Sequence, residues 1–194
     1  SGFFGSSYST EFESRFAIGD IDQDGDADIA LRAPDLAWLE NDGAGDFVEH
    51  PIQGTGTDIA MGDLDGDADP DLVLIYLGYG LGRMLNNGDG SFANEEVFPG
   101  TPELSWIDLQ LEDADGDGDP DVFFQTNGLV AQVNEVLGLL NNGSGAFTQY
   151  FEWQHYYADQ LRHYAVGHLD GDEVIDGVAH INDGIRAGFS ADNH

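Results

Sequence analysis

Short apolar runs alternate with polar, glycine-rich stretches along the whole chain. IAL follows Asp28, LVLIYL follows Asp71 and VFF follows Asp121. Runs this short, rich in aliphatic and β-branched residues and bounded by Gly, Asn and Asp, predict inner strands. A segment crowded with aspartates precedes each run. A second signature follows it: NDGAGDF from Asn41, NNGDGSF from Asn86 and NNGSGAF from Asn141. An Asn/Asp-Gly dipeptide leading into Phe predicts a tight hairpin that opens a strand. Each unit therefore reads as strand, aspartate loop, strand, strand, Asn-Gly turn, strand. Residues 130–140 also satisfy a helical period, but the hairpin signal at Asn141 assigns them to a strand.

The aspartate loops begin at Asp20, Asp63, Asp113 and His168. Spacings of 43, 50 and 55 residues, a period near 45, with four strands per unit, suit propeller blades better than solenoid coils. The expected fold is all-β: a β-propeller of about four four-stranded blades with Asp-rich calcium loops. The blades span residues 13–53, 54–103, 104–157 and 158–194. Glycine is spread through the turns and marks no linker, so residues 1–194 are expected to form one domain. The fourth unit stops before a clear outer strand, and residues 1–12 resemble the strand openings that follow the hairpins. They are expected to complete the last blade. Supplied within the chain, that strand closes the ring, and the intramolecular strand has the higher effective concentration. Supplied by a neighbour, it builds a homopolymer by strand exchange of the termini. The chain starts with Ser1 and shows no signal peptide, so a processed or excised piece is expected.

Charge changes the picture most. There are 38 Asp and Glu against 5 Lys and Arg, a formal net charge of -33. Such a chain repels itself when compact unless cations neutralise part of it. Nucleic acid and anionic membrane surfaces are excluded as partners, because both need basic patches. No apolar run is long enough for membrane insertion. Cysteine is absent, which excludes disulfides and thiolate metal sites. With 41% apolar residues the chain can still build a core.

The loops carry the candidate chemistry. Ca²⁺ takes six to eight oxygens, and aspartates at alternate positions of a tight turn can converge on one ion. Positions 1, 3, 5 and 9 are Asp20, Asp22, Asp24 and Asp28 in the first loop, with the Asp26 carbonyl from position 7. The second loop offers Asp63, Asp65, Asp67 and Asp71, with the Asp69 carbonyl. The third offers Asp113, Asp115, Asp117 and Asp121, with the Asp119 carbonyl. In the fourth, His168 stands at position 1, leaving Asp170, Asp172 and Asp176 with the Val174 carbonyl. Imidazole is a poor calcium ligand, so three to four Ca²⁺ ions are expected, the fourth held more weakly. An EF-hand is excluded because position 12 holds Leu31, Leu74, Phe124 and Ala179 instead of Glu.

Together these motifs resemble the FG-GAP and VCBS repeats known from the β-propeller of integrin α subunits. DLDGDADPD from Asp63 with NNGDGSF, and DADGDGDPD from Asp113 with NNGSGAF, carry the resemblance most closely. It implies a propeller with calcium in the loops between the first two strands of each blade. Such repeats serve adhesins, lectins, lyases and structural surface proteins, so function does not follow from fold. No nucleophile elbow, zinc-protease helix or phosphate loop is present, and the chain is expected not to be an enzyme. The expected role is an extracellular, secreted or cell-surface calcium-binding module, structural, adhesive or ligand-binding, with a carbohydrate or protein partner. The alternative is a propeller domain of a secreted, lyase-like polysaccharide-degrading enzyme. The aromatic stretch at residues 150–169 reads as packing between blades, as a platform for sugar rings, or as a metal site from His155 and His163.

Overall fold

The computed structural model describes residues 15–32, 35–54, 56–76, 80–93, 96–97, 105–127, 133–157, 161–168, 175–181 and 184–187. Among them every regular element is a strand. β1 (Arg15–Gly19), β2 (Asp28–Arg32), β3 (Leu36–Asn41) and β4 (Phe47–Pro51) form one antiparallel sheet in sequence order. A second sheet is built the same way from β5 (Asp58–Gly62), β6 (Asp71–Tyr76), β7 (Gly80–Met84) and β8 (Glu96–Val97). β9 (Ser105–Glu112), β10 (Asp121–Asn127), β11 (Val133–Asn141) and β12 (Phe147–Tyr157) make the third, and the described part of the 130–140 stretch, from Val133 on, is a strand as its hairpin signal demands. The fourth contains β13 (Leu161–Gly167), β14 (Asp176–Ile181) and β15 (Gly184–Ala187). Residues 1–12, expected to complete this last sheet, lie outside the described residues.

Each aspartate loop joins the first two strands of its sheet, and each Asn-Gly turn joins the third to the fourth. Period-2 alternation then sorts the side chains onto two faces. In the second sheet both faces are covered, and all six residues of β6 are buried, which is why that strand reads as an unbroken apolar run. The core lies between consecutive sheets. Ile21, Ala30, Leu36 and Trp38 pack against Ile59, Leu72, Leu74 and Met84 at the first junction. Leu64, Val73, Ile75 and Leu81 meet Leu109, Val122, Phe124 and Leu137 at the second. Phe123 and Val136 meet Leu161, Tyr164, Val166 and Ala179 at the third. No apolar cluster joins the first sheet to the fourth among the described residues.

Candidate metal centres

The three complete loops share one backbone course. Positions 4 and 6 adopt left-handed φ in each: Gln23 (60°) and Gly25 (97°), Ala68 (73°) and Gly66 (80°), Gly116 (79°) and Gly118 (96°). Two left-handed residues flanking an ordinary one curl the chain, and glycine holds four of these six places because it lacks the Cβ that clashes there. The first aspartate then caps the curl. Asp63 Oδ1 accepts the Gly66 N–H at 2.8 Å and its Oδ2 accepts the Ala68 N–H at 2.9 Å. Asp113 does the same for Gly116 (2.8 Å) and Gly118 (2.9 Å), and Asp20 accepts the Gly25 N–H at 3.1 Å.

Position 9 opens the second strand and is buried: Asp28, Asp71 and Asp121 are each 0% exposed. Both oxygens of each are engaged by backbone N–H donors. One donor is position 2 of the same loop: Ile21 (2.8 Å), Leu64 (2.8 Å) and Ala114 (2.7 Å). The other is the first Asn of the hairpin signature: Asn41 (2.8 Å), Asn86 (2.8 Å) and Asn141 (2.7 Å). The two motifs recur together because they build a single site.

These anchors bring positions 1, 3 and 9 into one group per loop: Asp20, Asp22 and Asp28; Asp63, Asp65 and Asp71; Asp113, Asp115 and Asp121. Within each group the candidate ligand oxygens all lie within 4.8 Å of one another. Oxygens on opposite sides of one Ca²⁺, bound at about 2.3–2.6 Å, are separated by about 4.6–5.2 Å at most. The spacing therefore fits a shared cation of that size. Asp20 Oδ1 and Asp65 Oδ1 are buried with no hydrogen-bond partner among the described residues, a costly state for a carboxylate oxygen that a cation would relieve.

Electrostatics agree with that fit. Burial, followed by the charge of the neighbouring position-5 carboxylate, raises the pKa of Asp22, Asp65 and Asp115. Burial pushes Asp71 and Asp121 up to about 6, against the lowering effect of their two N–H donors. Three carboxylates this close resist ionising together unless a positive charge joins them.

Position 5, in the form of Asp24, Asp67 and Asp117, stands outside the three groups. Each accepts the N–H two residues on, from Asp26 (2.9 Å), Asp69 (2.9 Å) and Asp119 (3.0 Å). At position 7 the side chains have a use that the sequence did not reveal. The carboxylates of Asp26, Asp69 and Asp119 press against Gly43, Gly88 and Gly143 of the hairpin, where an added Cβ would fall within 2.3, 2.5 and 2.3 Å of them. The separation of loop and hairpin glycine varies, 17, 19 and 24 residues in the three sheets, so no constant spacing marked the contact in the sequence. In the fourth loop Asp170, Asp172 and Val174 lie outside the described residues. Asp176 opens β14 and is buried. His168 donates from Nε2 to the Asp113 carbonyl at 3.0 Å, so that nitrogen carries a hydrogen and no free lone pair for a metal. Trp153 and His155 belong to β12, and their side chains lie outside the described residues.

Asn86 and Asn141 do more than close hairpins. Asn86 Nδ2 donates to the Ile21 carbonyl at 2.7 Å and Asn141 Nδ2 to the Leu64 carbonyl at 2.8 Å. Each thus ties its own loop to the loop of the preceding sheet. Compared with known families, residues 63–124 match the FG-GAP-like repeat, a span that runs from the second loop through the third. A search of the curated proteins finds no match.

Proposed function

We propose that this chain, which carries an FG-GAP-like repeat at residues 63–124, is an extracellular calcium-binding module whose propeller-type blades are held by one Ca²⁺ per aspartate loop. The observation that carries the reading is the threefold recurrence of the same carboxylate group, with a fully buried aspartate at its base. Calcium suits the donor set, since hard oxygen ligands from carboxylates favour Ca²⁺, Mg²⁺ or Mn²⁺ and no imidazole or thiolate enters the three groups. Extracellular use fits an all-oxygen site, since extracellular calcium modules work at about 10⁻⁴–10⁻³ M calcium. The role is structural, adhesive or ligand-binding, and non-catalytic. A carbohydrate partner is supported by a groove of about 480 Å³ whose lining includes Asp22, Glu40, His50, Asp89 and Ser91, groups that hydrogen-bond sugar hydroxyls, beside the apolar ring of Phe92. Trp38 lines it too but is 4% exposed and stacks on His50, so it belongs to the wall.

Titration of chelator-stripped protein with Ca²⁺ by isothermal calorimetry tests the metal reading. Three to four equivalents are expected, with one lost in Asp65→Ala and Mg²⁺ binding more weakly. Calcium binding unchanged in Asp65→Ala would overturn the assignment. Turnover of any polysaccharide, abolished by replacing one carboxylate outside the loops, would overturn the non-catalytic role.

A further inference from the structure

Among the described residues the four sheets repeat one interface plan, and two faces of it stay exposed. The face that each sheet turns to its predecessor is built from alternate residues of its first two strands. Ile59 and Met61 stand opposite Leu74 and Leu72 in the second sheet, and Tyr164 and Val166 stand opposite Ala179 and Gly177 in the fourth. In the first sheet the same register holds Phe16 and Ile18, opposite Leu31 and Ile29. Ile59, Leu109 and Tyr164 are 5%, 9% and 5% exposed, whereas Phe16 is 64% and Ile18 62%.

Two further details of the same edge agree. The side-chain amides of Asn86 and Asn141 each reach a carbonyl of the preceding sheet, whereas the Nδ2 of Asn41, their equivalent, donates only to the Ala27 carbonyl of its own loop among the described residues. An added Cβ at Gly90 or Gly145 would strike Trp38 or Arg83 of the preceding sheet, but at Gly45 it would meet nothing within 4 Å. Apolar packing, amide and glycine are all built for a neighbouring sheet.

The complementary surface is on the fourth sheet. Leu36, Leu81 and Val136 hold one register position, opposite Arg32, Ile75 and Gln125, and face the following sheet. They are 2%, 0% and 0% exposed. Ile185, opposite His180, occupies that position in the fourth sheet and is 74% exposed. We propose that the Phe16–Ile18 face of the first sheet docks on the Ile185 face of the fourth sheet of a second copy of this chain, continuing the inter-sheet stacking from molecule to molecule. A contact between two different surfaces is heterologous, so it propagates instead of stopping at a dimer. It continues an interface the fold already makes three times, and stacked repeats require a capped or partnered terminal face. This docking packs sheet on sheet, unlike strand exchange by residues 1–12, and its test holds whichever ion fills the loops.

Sedimentation velocity on the whole chain in calcium, over a wide concentration range, reads the assembly. Wild type is expected to grow past dimer as concentration rises. Phe16→Glu and Ile185→Glu each blunt one face and should each stay monomeric with unchanged circular dichroism, since both residues are exposed in the single molecule; Ile18→Glu serves as a second first-sheet variant. An equimolar mixture of Phe16→Glu and Ile185→Glu should form a 1:1 dimer and nothing larger, because one intact face remains on each. A monomeric wild type overturns the proposal, and a fall in its melting temperature with either substitution would place the two faces together within one chain. Assembly that survives in both single variants, or a mixture that stays monomeric, overturns it as well.

Discussion

Asp71 and Asp121 show at the scale of single residues what the loops would gain from a cation. Their folded pKa of about 6 lies above the ordinary 3.8 because burial outweighs two backbone donors. Without calcium, the folded state holds these protons more tightly than the unfolded chain does. Their contribution to stability is then fully present below about pH 4 and is lost as pH rises through about 6. With saturating calcium the sign reverses, since the ion requires the deprotonated carboxylates and protons compete with it below about 6. Melting temperature against pH, with chelator and with calcium, should give curves of opposite slope between pH 4 and 6. Parallel curves would mean that these aspartates do not meet the ion. A second expectation concerns Ala68, which sits at φ 73° where the other loops place Gly25 and Gly118. Left-handed φ costs an alanine about 1–2 kcal/mol, and glycine gives back about 0.5–1 in chain entropy. Ala68→Gly should therefore stabilise by a few tenths to about 1 kcal/mol in chemical denaturation, and a destabilised variant would refute the backbone argument. The alternation of aspartates made positions 1, 3 and 9 legible from sequence. The carboxylates at position 7 were not, because their contact is with a glycine in a hairpin turn well along the chain.

Among elements, the unit that matters is loop plus hairpin. The sequence showed both motifs and their order, and the Asn-Gly dipeptides identified the turns. It did not show that the first Asn of the hairpin sends its backbone N–H to the buried aspartate and its side chain across to the preceding sheet, since that contact spans 65 residues for Asn86 and Ile21. Asp58 is a similar case: its Oδ2 accepts the N–H groups of Asp108 (3.0 Å) and Leu109 (3.1 Å) in the next sheet, yet it reads in sequence as one more surface acid. Cross-sheet anchors of this kind should be energetically unequal along the stack. Asn86 is 4% exposed and bonded on both sides of a junction; removing a buried donor of that kind leaves two carbonyls unpaired and costs about 1–3 kcal/mol. Asn41→Ala loses two exposed local bonds, to the Ala27 carbonyl and from the Gly43 N–H, and should cost well under 1 kcal/mol. Urea midpoints of Asn86→Ala and Asn41→Ala separate the two, and equal losses would remove the junction role assigned to Asn86.

For the whole molecule the controlling quantity is the charge of -33 against a core that, among the described residues, lies in the junctions between sheets. The sequence displayed the charge and the fourfold repeat. It could not display which apolar strand residues lack a neighbour, because Phe16 and Ile59 follow the same alternation and differ only in what stands beside them. On the proposed reading, calcium would act on this balance in two ways. Each ion bound to the folded state alone stabilises it by RT ln(1 + [Ca]/Kd), about 1.4 kcal/mol per site when calcium is ten times Kd. Three sites then contribute about 4 kcal/mol, a large share of the roughly 5–15 kcal/mol by which domains are stable. Each ion also removes two charges from a self-repelling surface, and that part depends on screening, whose range shrinks from about 30 Å at 0.01 M salt to about 10 Å at 0.1 M. The two parts separate experimentally. Chelation should lower the melting temperature at every ionic strength, and more steeply at 0.01 M than at 0.1 M salt. Added NaCl should restore only part of the loss, because monovalent ions screen the surface but do not satisfy Asp20 Oδ1 and Asp65 Oδ1 inside the loops. A full rescue by salt would reduce calcium to a counterion, and no response to chelation at low salt would remove it from the fold.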